Sequence, residues 1–301
     1  ISAFIPVVAR NATGNYNVAF NGANTMNATN DDDIWCAIGT SEYEENGKLP
    51  EAATGKVKVA LNDTGLNAEG VYGDFIAVAA IGEEEYDNLQ KAINAVKNGE
   101  TITLVSDIAD DVTISQTEGV KFTLDGADKT YTGTITVDGK SAAYATAGVT
   151  IKNLNFDATA NSKDVCINLG NGNTNTRYVS NVTVDNCKFT DNDKTAVGVK
   201  SYTGGDKNLV ITGCTATGMH SLVQVKNVEN VTVAGSTIND SKNGVSFGAS
   251  SNVVVESSTM DCVGYGVRVD ASVSTTLTVT DANISAFIPV VARNATGNYN
   301  V

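Results

Sequence analysis

The chain has 301 residues, of which 6% are aromatic and 18% charged, with a net charge of −14 at neutral pH. That excess of acid argues against nucleic acid as a partner, because phosphate binding needs a basic stripe and only 20 Lys and Arg are present. No stretch reaches the ~20 apolar residues that a membrane-spanning helix requires, so no membrane span is expected.

The first eighteen residues, ISAFIPVVARNATGNYNV, return unchanged as residues 284–301. An unbroken match of this length is no accident of composition. It fits one period of a tandem array, a strand copied from one end to the other, or a duplication without function. In the first two cases the segment is a seam at which one unit completes another, head to tail. Its apolar positions, Ile1, Phe4, Ile5, Val7 and Val8 and again Ile284, Phe287, Ile288, Val290 and Val291, are the candidate self-assembly surface. A chain opening on Ile rather than Met also reads as a processed product or a fragment.

Residues 1–80 read as a small β-rich domain. Strands are expected at Tyr16–Phe20, Ile34–Ile38, Val57–Leu61 and Phe75–Ile81. The run Asp31, Asp32 and Asp33, after Asn30, offers carboxylates to Ca2+ but lacks the alternating acids and the glycine of an EF-hand loop. A solvated acidic turn is the simpler reading.

Residues 84–97 carry the one helical pattern. Tyr86, Leu89, Ile93 and Val96 share a face, acidic residues precede it, and Gly99 follows as a stop. The helix leads into a strand at Thr101–Val105 and is placed to cap the open end of whatever follows.

From Val149 the chain repeats. Val149-Thr150-Ile151 recurs at Val182, Leu209, Val231, Val253 and Leu277, in steps of 33, 27, 22, 22 and 24 residues. Each run is followed by a small or polar pair and then by one of Phe156, Phe189, Ala216, Ile238, Met260 and Ile284. A second column reads Ile167-Asn168-Leu169, Val197-Gly198-Val199, Val223-Gln224-Val225, Val245-Ser246-Phe247 and Val267-Arg268-Val269. Apolar spacing of two excludes helical repeats. Short strands that recur in fixed order, with turns of Asn, Gly, Asp and Ser, predict coils of a parallel solenoid stacked about 4.8 Å apart. An antiparallel sandwich shares the alternation but not the recurrence.

The stretch IGEEEYDNLQKAINAVKNGETITLVSDI (residues 81–108) and coils such as VTIKNLNFDAT and VTVDNCKFTDND resemble the right-handed parallel β-helix domains of microbial surface proteins. This is the superfamily of pectate lyases, polygalacturonases and phage tailspikes. The resemblance covers roughly residues 81–283 and implies an all-β fold: a right-handed parallel β-helix over residues 81–291, with a capping helix at 84–97. It leaves activity open, since the fold hosts enzymes, adhesins and inert fibres.

Chemistry is thin. The single histidine, His220, lies in a turn; no nucleophile elbow, HExxH or phosphate loop is present. On the outward side of the second column, Asn168, Gly198, Gln224, Ser246 and Arg268 offer no paired carboxylates of the kind glycoside hydrolysis needs. Arg268 and Asp270 form the one local acid–base pair. The five cysteines show no CxxC spacing, so a zinc site is not expected. Cys187 and Cys214 share one ladder position and could be bridged or could stay thiols. Asn-x-Ser/Thr sites, at Asn181 and Asn230 among others, permit glycosylation without arguing for it.

The expectation is a non-enzymatic, extracellular or cell-surface structural protein whose main partner is itself, with no cofactor beyond a Ca2+ at the acidic run. A polysaccharide-active enzyme or an adhesin for surface glycans is the alternative, and a phage or virion fibre a third.

Overall fold

The computed structural model describes residues 77–293 except 87, 140–145, 161–162, 171–177, 202–205 and 271–273, together with the backbone of the strands in residues 2–62 and of Ser274–Thr280 and Thr296–Asn300. Two compact units divide the chain, Ile1–Ala77 and Val78–Val301.

The second unit is a parallel β-solenoid of three sheets with eleven, eight and seven strands. Each coil visits them in the same order. Gly148–Lys152 lies in the long sheet, Asn155–Asp157 in the short one and Val165–Leu169 in the eight-stranded one, and the next coil returns to the long sheet at Ser180–Asp185. Three strand columns per coil therefore replace the expected two. The third column is the recurring Phe156 position: its strands are mostly three residues long with one inward side chain each, too short for alternation to announce them.

Stacking places like on like. Val149, Val182, Leu209, Val231, Val253 and Leu277 pair in register down the long sheet, and Phe156, Phe189, Ala216, Ile238, Met260 and Ile284 down the short one. The Phe156 and Phe189 rings stack with centroids 4.9 Å apart, and Tyr131 meets Phe156 edge-on at 5.6 Å. Nearly all these positions are fully buried.

The eight-stranded sheet corrects one expected alignment. Val199, not Val197, pairs with Ile167, so Lys200 pairs with Asn168 and with Gln224, and Gly198 is not in that row. A slip of two residues keeps every side chain on its own face, so apolar alternation cannot detect it. Ser201 thereby takes the buried place that Leu169 holds one coil earlier, and its hydroxyl donates to Asp206 Oδ2 at 2.8 Å.

Corners are fixed by backbone conformation. From Gly148 onward every turn between the long and short sheets is two residues, and its first member has a left-handed φ: Asn153 51°, Asn186 49°, Gly213 60°, Gly235 55°, Ser257 48° and Asp281 51°. Asn and Gly are the residues that tolerate this region best. Returning to the long sheet, Asn181, Asn208, Asn230 and Asn252 are also left-handed and form an amide ladder. Each side chain donates to the Oδ1 of the preceding one, at 2.8, 2.9 and 2.9 Å.

The cap differs from expectation in its start. Glu84–Tyr86 pairs antiparallel with Ala79–Ile81 across a turn at Gly82 (φ 60°), and the helix runs only over Leu89–Ala95. Asn88 is its N-cap, accepting from the Lys91 amide at 3.3 Å. The acidic run supplies the hairpin rather than the first helical turn, because the short extended stretch satisfies its backbone against Ala79–Ile81, which in turn pairs antiparallel with Thr101–Leu104. Leu89, Ala92 and Ile93 are buried on the first coils.

The strands of the first unit pair in parallel as well. Ser2–Ala3 lies against Asn27–Ala28, Val7–Ala12 against Ile34–Ile38, and Tyr16–Asn21 against Val57–Asn62. Three successive strands thus pair with the three that follow them, the connectivity of two stacked rungs.

Candidate functional site

Two regions of the second unit concentrate what chemistry it has: the outward face of the eight-stranded sheet, and its C-terminal rim.

Parallel pairing aligns one outward row, Thr113, Thr136, Asn168, Lys200, Gln224, Ser246, Arg268 and Val291. Beside it runs Lys226, Gly248, Asp270 and Arg293. Asp270 is held between two guanidinium groups. Arg268 Nη2 pairs with Asp270 Oδ2, and Arg293 Nε lies 3.8 Å from Oδ1. The Arg268 guanidinium also lies over the Tyr265 ring, 5.0 Å from its centroid. Both guanidinium groups thus face this one carboxylate, and the two rows named contain no second carboxylate beside it.

His220 is half-buried in its turn, with Nδ1 3.3 Å from Ser221 Oγ; burial first, then Lys242 and Lys200, push its pKa down. Among the described residues, no group of three or more His, Cys, Asp or Glu side chains converges as a metal site would. Asp31, Asp32 and Asp33 lie outside the described residues, as do Ile1, Phe4 and Ile5; Val7 and Val8 are described in backbone only.

Cys187 and Cys214 occupy the same corner on successive coils, and the structure holds both as thiols. Their Sγ atoms donate to backbone carbonyls: Cys187 to Asp185 at 3.4 Å, Cys214 to Thr212 at 3.4 Å. The next two coils put Ser236 and Ser258 there, donating likewise to Ala234 and Glu256. Each serine oxygen also accepts an amide from the preceding coil, Ser236 from Cys214 and Ser258 from Ser236. Thiols and hydroxyls fill one structural role. The contact with Cys214, and then burial, raise the Cys187 pKa, and burial raises those of Cys166 and Cys262.

Two glycosylation motifs are occupied by the amide ladder. Asn181 Nδ2 donates to the Ala147 carbonyl at 2.7 Å and Asn230 Nδ2 to Asn208 Oδ1 at 2.9 Å, so a glycan on either would compete with a bond that Nδ2 already makes.

The rim is built by the repeated peptide. Asn283–Ser285, Ile288–Arg293 and Thr296–Asn300 are the terminal strands of the three sheets, paired on one edge to Thr259–Cys262, Tyr265–Asp270 and Ser274–Thr280. Ile284 pairs with Met260 and Val290 with Val267. Met260 and Val267 are fully buried, whereas Ile284 and Val290 are only half-buried and Phe287 is 84% exposed. Ile288 and Val291 are half-buried too. Side chains that would be core inside the stack are here left half in water. Nothing in the apolar alternation distinguished this rim from an inner rung; only the exact repeat marked it.

A single-chain stack of parallel strands in three sheets, with left-handed corners and apolar ladders, defines a β-helical repeat protein. The family model described as "right handed beta helix region" matches residues 133–297, more than half of the chain, and the chain belongs to that family. Searches of curated proteins and of solved structures found no match. Right-handed β-helices occur in enzymes and non-enzymes alike.

Proposed function

We propose that the chain is a structural subunit of an extracellular or cell-surface filament, fibre or array that assembles head to tail through the repeated peptide. The observation that carries this reading is the terminal rung. It is made of the very sequence that opens the chain, and it leaves its ladder residues half exposed and, among the described residues, one edge of its backbone unpaired. An open parallel edge is a template for more strand, and it is most consequential where the strand offered is the chain's own. The non-enzymatic part of the proposal draws support from the outward rows, where the one acid is clamped between Arg268 and Arg293.

Light scattering and sedimentation across a wide concentration range, with electron microscopy of the concentrated sample, test it. Species that lengthen with concentration are expected. Monomers at every concentration would overturn the proposal, and a fixed trimer would replace it with the virion-fibre reading.

A glycan-binding or glycan-cleaving face has one observation in its favour: Tyr265, Arg268 and Arg293 offer an aromatic ring and two cations beside one another. Binding or depolymerisation of uronate polymers, with and without Ca2+, and its loss in Arg268→Ala, would support that second reading.

A further inference from the structure

The same eighteen residues occupy two places, and in each they do the same thing. At the C-terminus they form a rung that travels through the short, the eight-stranded and the long sheet in turn. At the N-terminus they supply two strands and the first half of a third, Tyr16–Asn21, in the same order. There, however, a further rung lies on them: Asn27–Ala28, Ile34–Ile38 and Val57–Asn62, paired in parallel. So the first unit displays what the repeated peptide accepts on its free edge, while the second unit displays the same peptide with no further described strand on that edge.

We propose that the rim of the second unit is the docking site for residues 27–62 of a second copy of this chain, in the register seen in the first unit. This deepens the head-to-tail reading and rests on it. Transferring the observed pairs by the 283-residue offset gives Ser285 opposite Asn27, Val290 opposite Ile34, Val291 opposite Trp35, Ala292 opposite Cys36 and Tyr299 opposite Val57 of the other copy. The shared peptide lets the pairs up to Val18 with Val59 be remade at the rim, whereas those of Ala19, Phe20 and Asn21 with Ala60, Leu61 and Asn62 lie beyond the repeat and are given up. The gain lies behind the rung. Residues 284–301 are already laid on a full stack, and their half-exposed Ile284 and Val290 become covered. Apolar cover at about 25 cal/mol per Å² is the term that offsets those lost pairs and drives the transfer. The element exchanged is thus not the repeated peptide itself, because the rim already holds its own copy. It is the rung that follows.

Native Cys36 makes a direct test in the full-length chain. Ala292 is exposed, so Ala292→Cys is compatible with folding. In the proposed register the introduced sulfur stacks on Cys36 of the neighbour at a spacing a disulfide can bridge. Under oxidising conditions the variant is expected to give a ladder of covalent multimers that collapses on reduction. Its digest should contain a disulfide-linked peptide joining Cys36 to position 292, and none when Cys36 is also replaced by Ser. The converse variant, Ala9→Cys, ties Cys36 to the first unit's own rung; oxidation should stop assembly and reduction restore it. Multimers in solution without a link between Cys36 and position 292 would overturn the register while leaving head-to-tail assembly standing. A link confined to monomers would overturn the second copy as occupant. Absence of multimers by light scattering in the reduced wild type would remove the reading beneath both.

Discussion

Asp206 is a carboxyl placed where solvation is lost. It is 3% exposed, accepts the Val179 amide at 2.9 Å and the Ser201 hydroxyl at 2.8 Å, and burial outweighs both bonds, pushing its pKa up to about 6. A folded-state value above the unfolded one means that stability is greatest below about pH 4 and is lost as pH rises through 6. Asp206→Asn keeps an acceptor for Val179 without the charge. The variant should match wild type at pH 4 and exceed it by on the order of 2–3 kcal/mol at pH 7.5, read by urea unfolding at the two pH values. The corner thiols make the opposite case, a place where chemistry is already interchangeable. Cys214→Ser should cost under about 1 kcal/mol, since Ser236 does the same work one coil on, whereas Cys214→Leu overpacks a filled corner and should cost about 1–3 kcal/mol. Ellman titration should leave Cys166, Cys187, Cys214 and Cys262 unreacted in the native protein; all five thiols reacting in denaturant would exclude any bridge.

At the scale of the element, the asparagine ladder joins backbone and side chain in one device. Asn208 sits at φ 58°, donates to Asn181 and accepts from Asn230. Asn208→Ala removes two bonds and leaves a bare Cβ in left-handed backbone, an expected loss of about 2–3 kcal/mol by thermal or chemical unfolding. Asn208→Gly restores the backbone but not the ladder and should lose roughly half as much. Elements also show where sequence reasoning reaches its limit. Columns whose rungs are linked by two-residue corners could be aligned residue by residue, because each corner counts the chain off. Val197 could not: the corner that leads to it from the short sheet, residues 191–196, belongs to a set of variable length, and alternation permits a two-residue slip. The helix start was misplaced for a related reason. Glu84–Tyr86 satisfies both an acidic helix opening and a strand, and only the partner Ala79–Ile81 decides between them. Of the site, the rim was legible through exact repetition, whereas the arginine clamp on Asp270 needed Arg293, which sequence reading did not connect to it.

On the scale of the whole molecule, the stack of the second unit begins under a hairpin and helix and, among the described residues, carries no further strand on its last rung. Ending the chain after Asn283 would move the open end back one rung, onto Met260, Val267 and Val269, which are fully buried in the intact protein. Such a truncation should lower the unfolding midpoint, raise binding of a hydrophobic dye and abolish ordered assembly while promoting amorphous aggregation. Dye binding unchanged from wild type would mean that the repeated peptide covers nothing.

From Gly148 onward the corners leading from the long sheet to the short one hold two residues each, while the other two corners of the coil absorb the differences in size: those entering the eight-stranded sheet run from two to seven residues, and those returning to the long sheet shrink to one at Asn227. Length variation in these coils is thereby shed along the seams that flank the eight-stranded sheet. Foreign peptides grafted between Ser201 and Asp206 would emerge on the second of these seams with the apolar ladders untouched, so each assembled subunit could carry its own cargo at a regular interval.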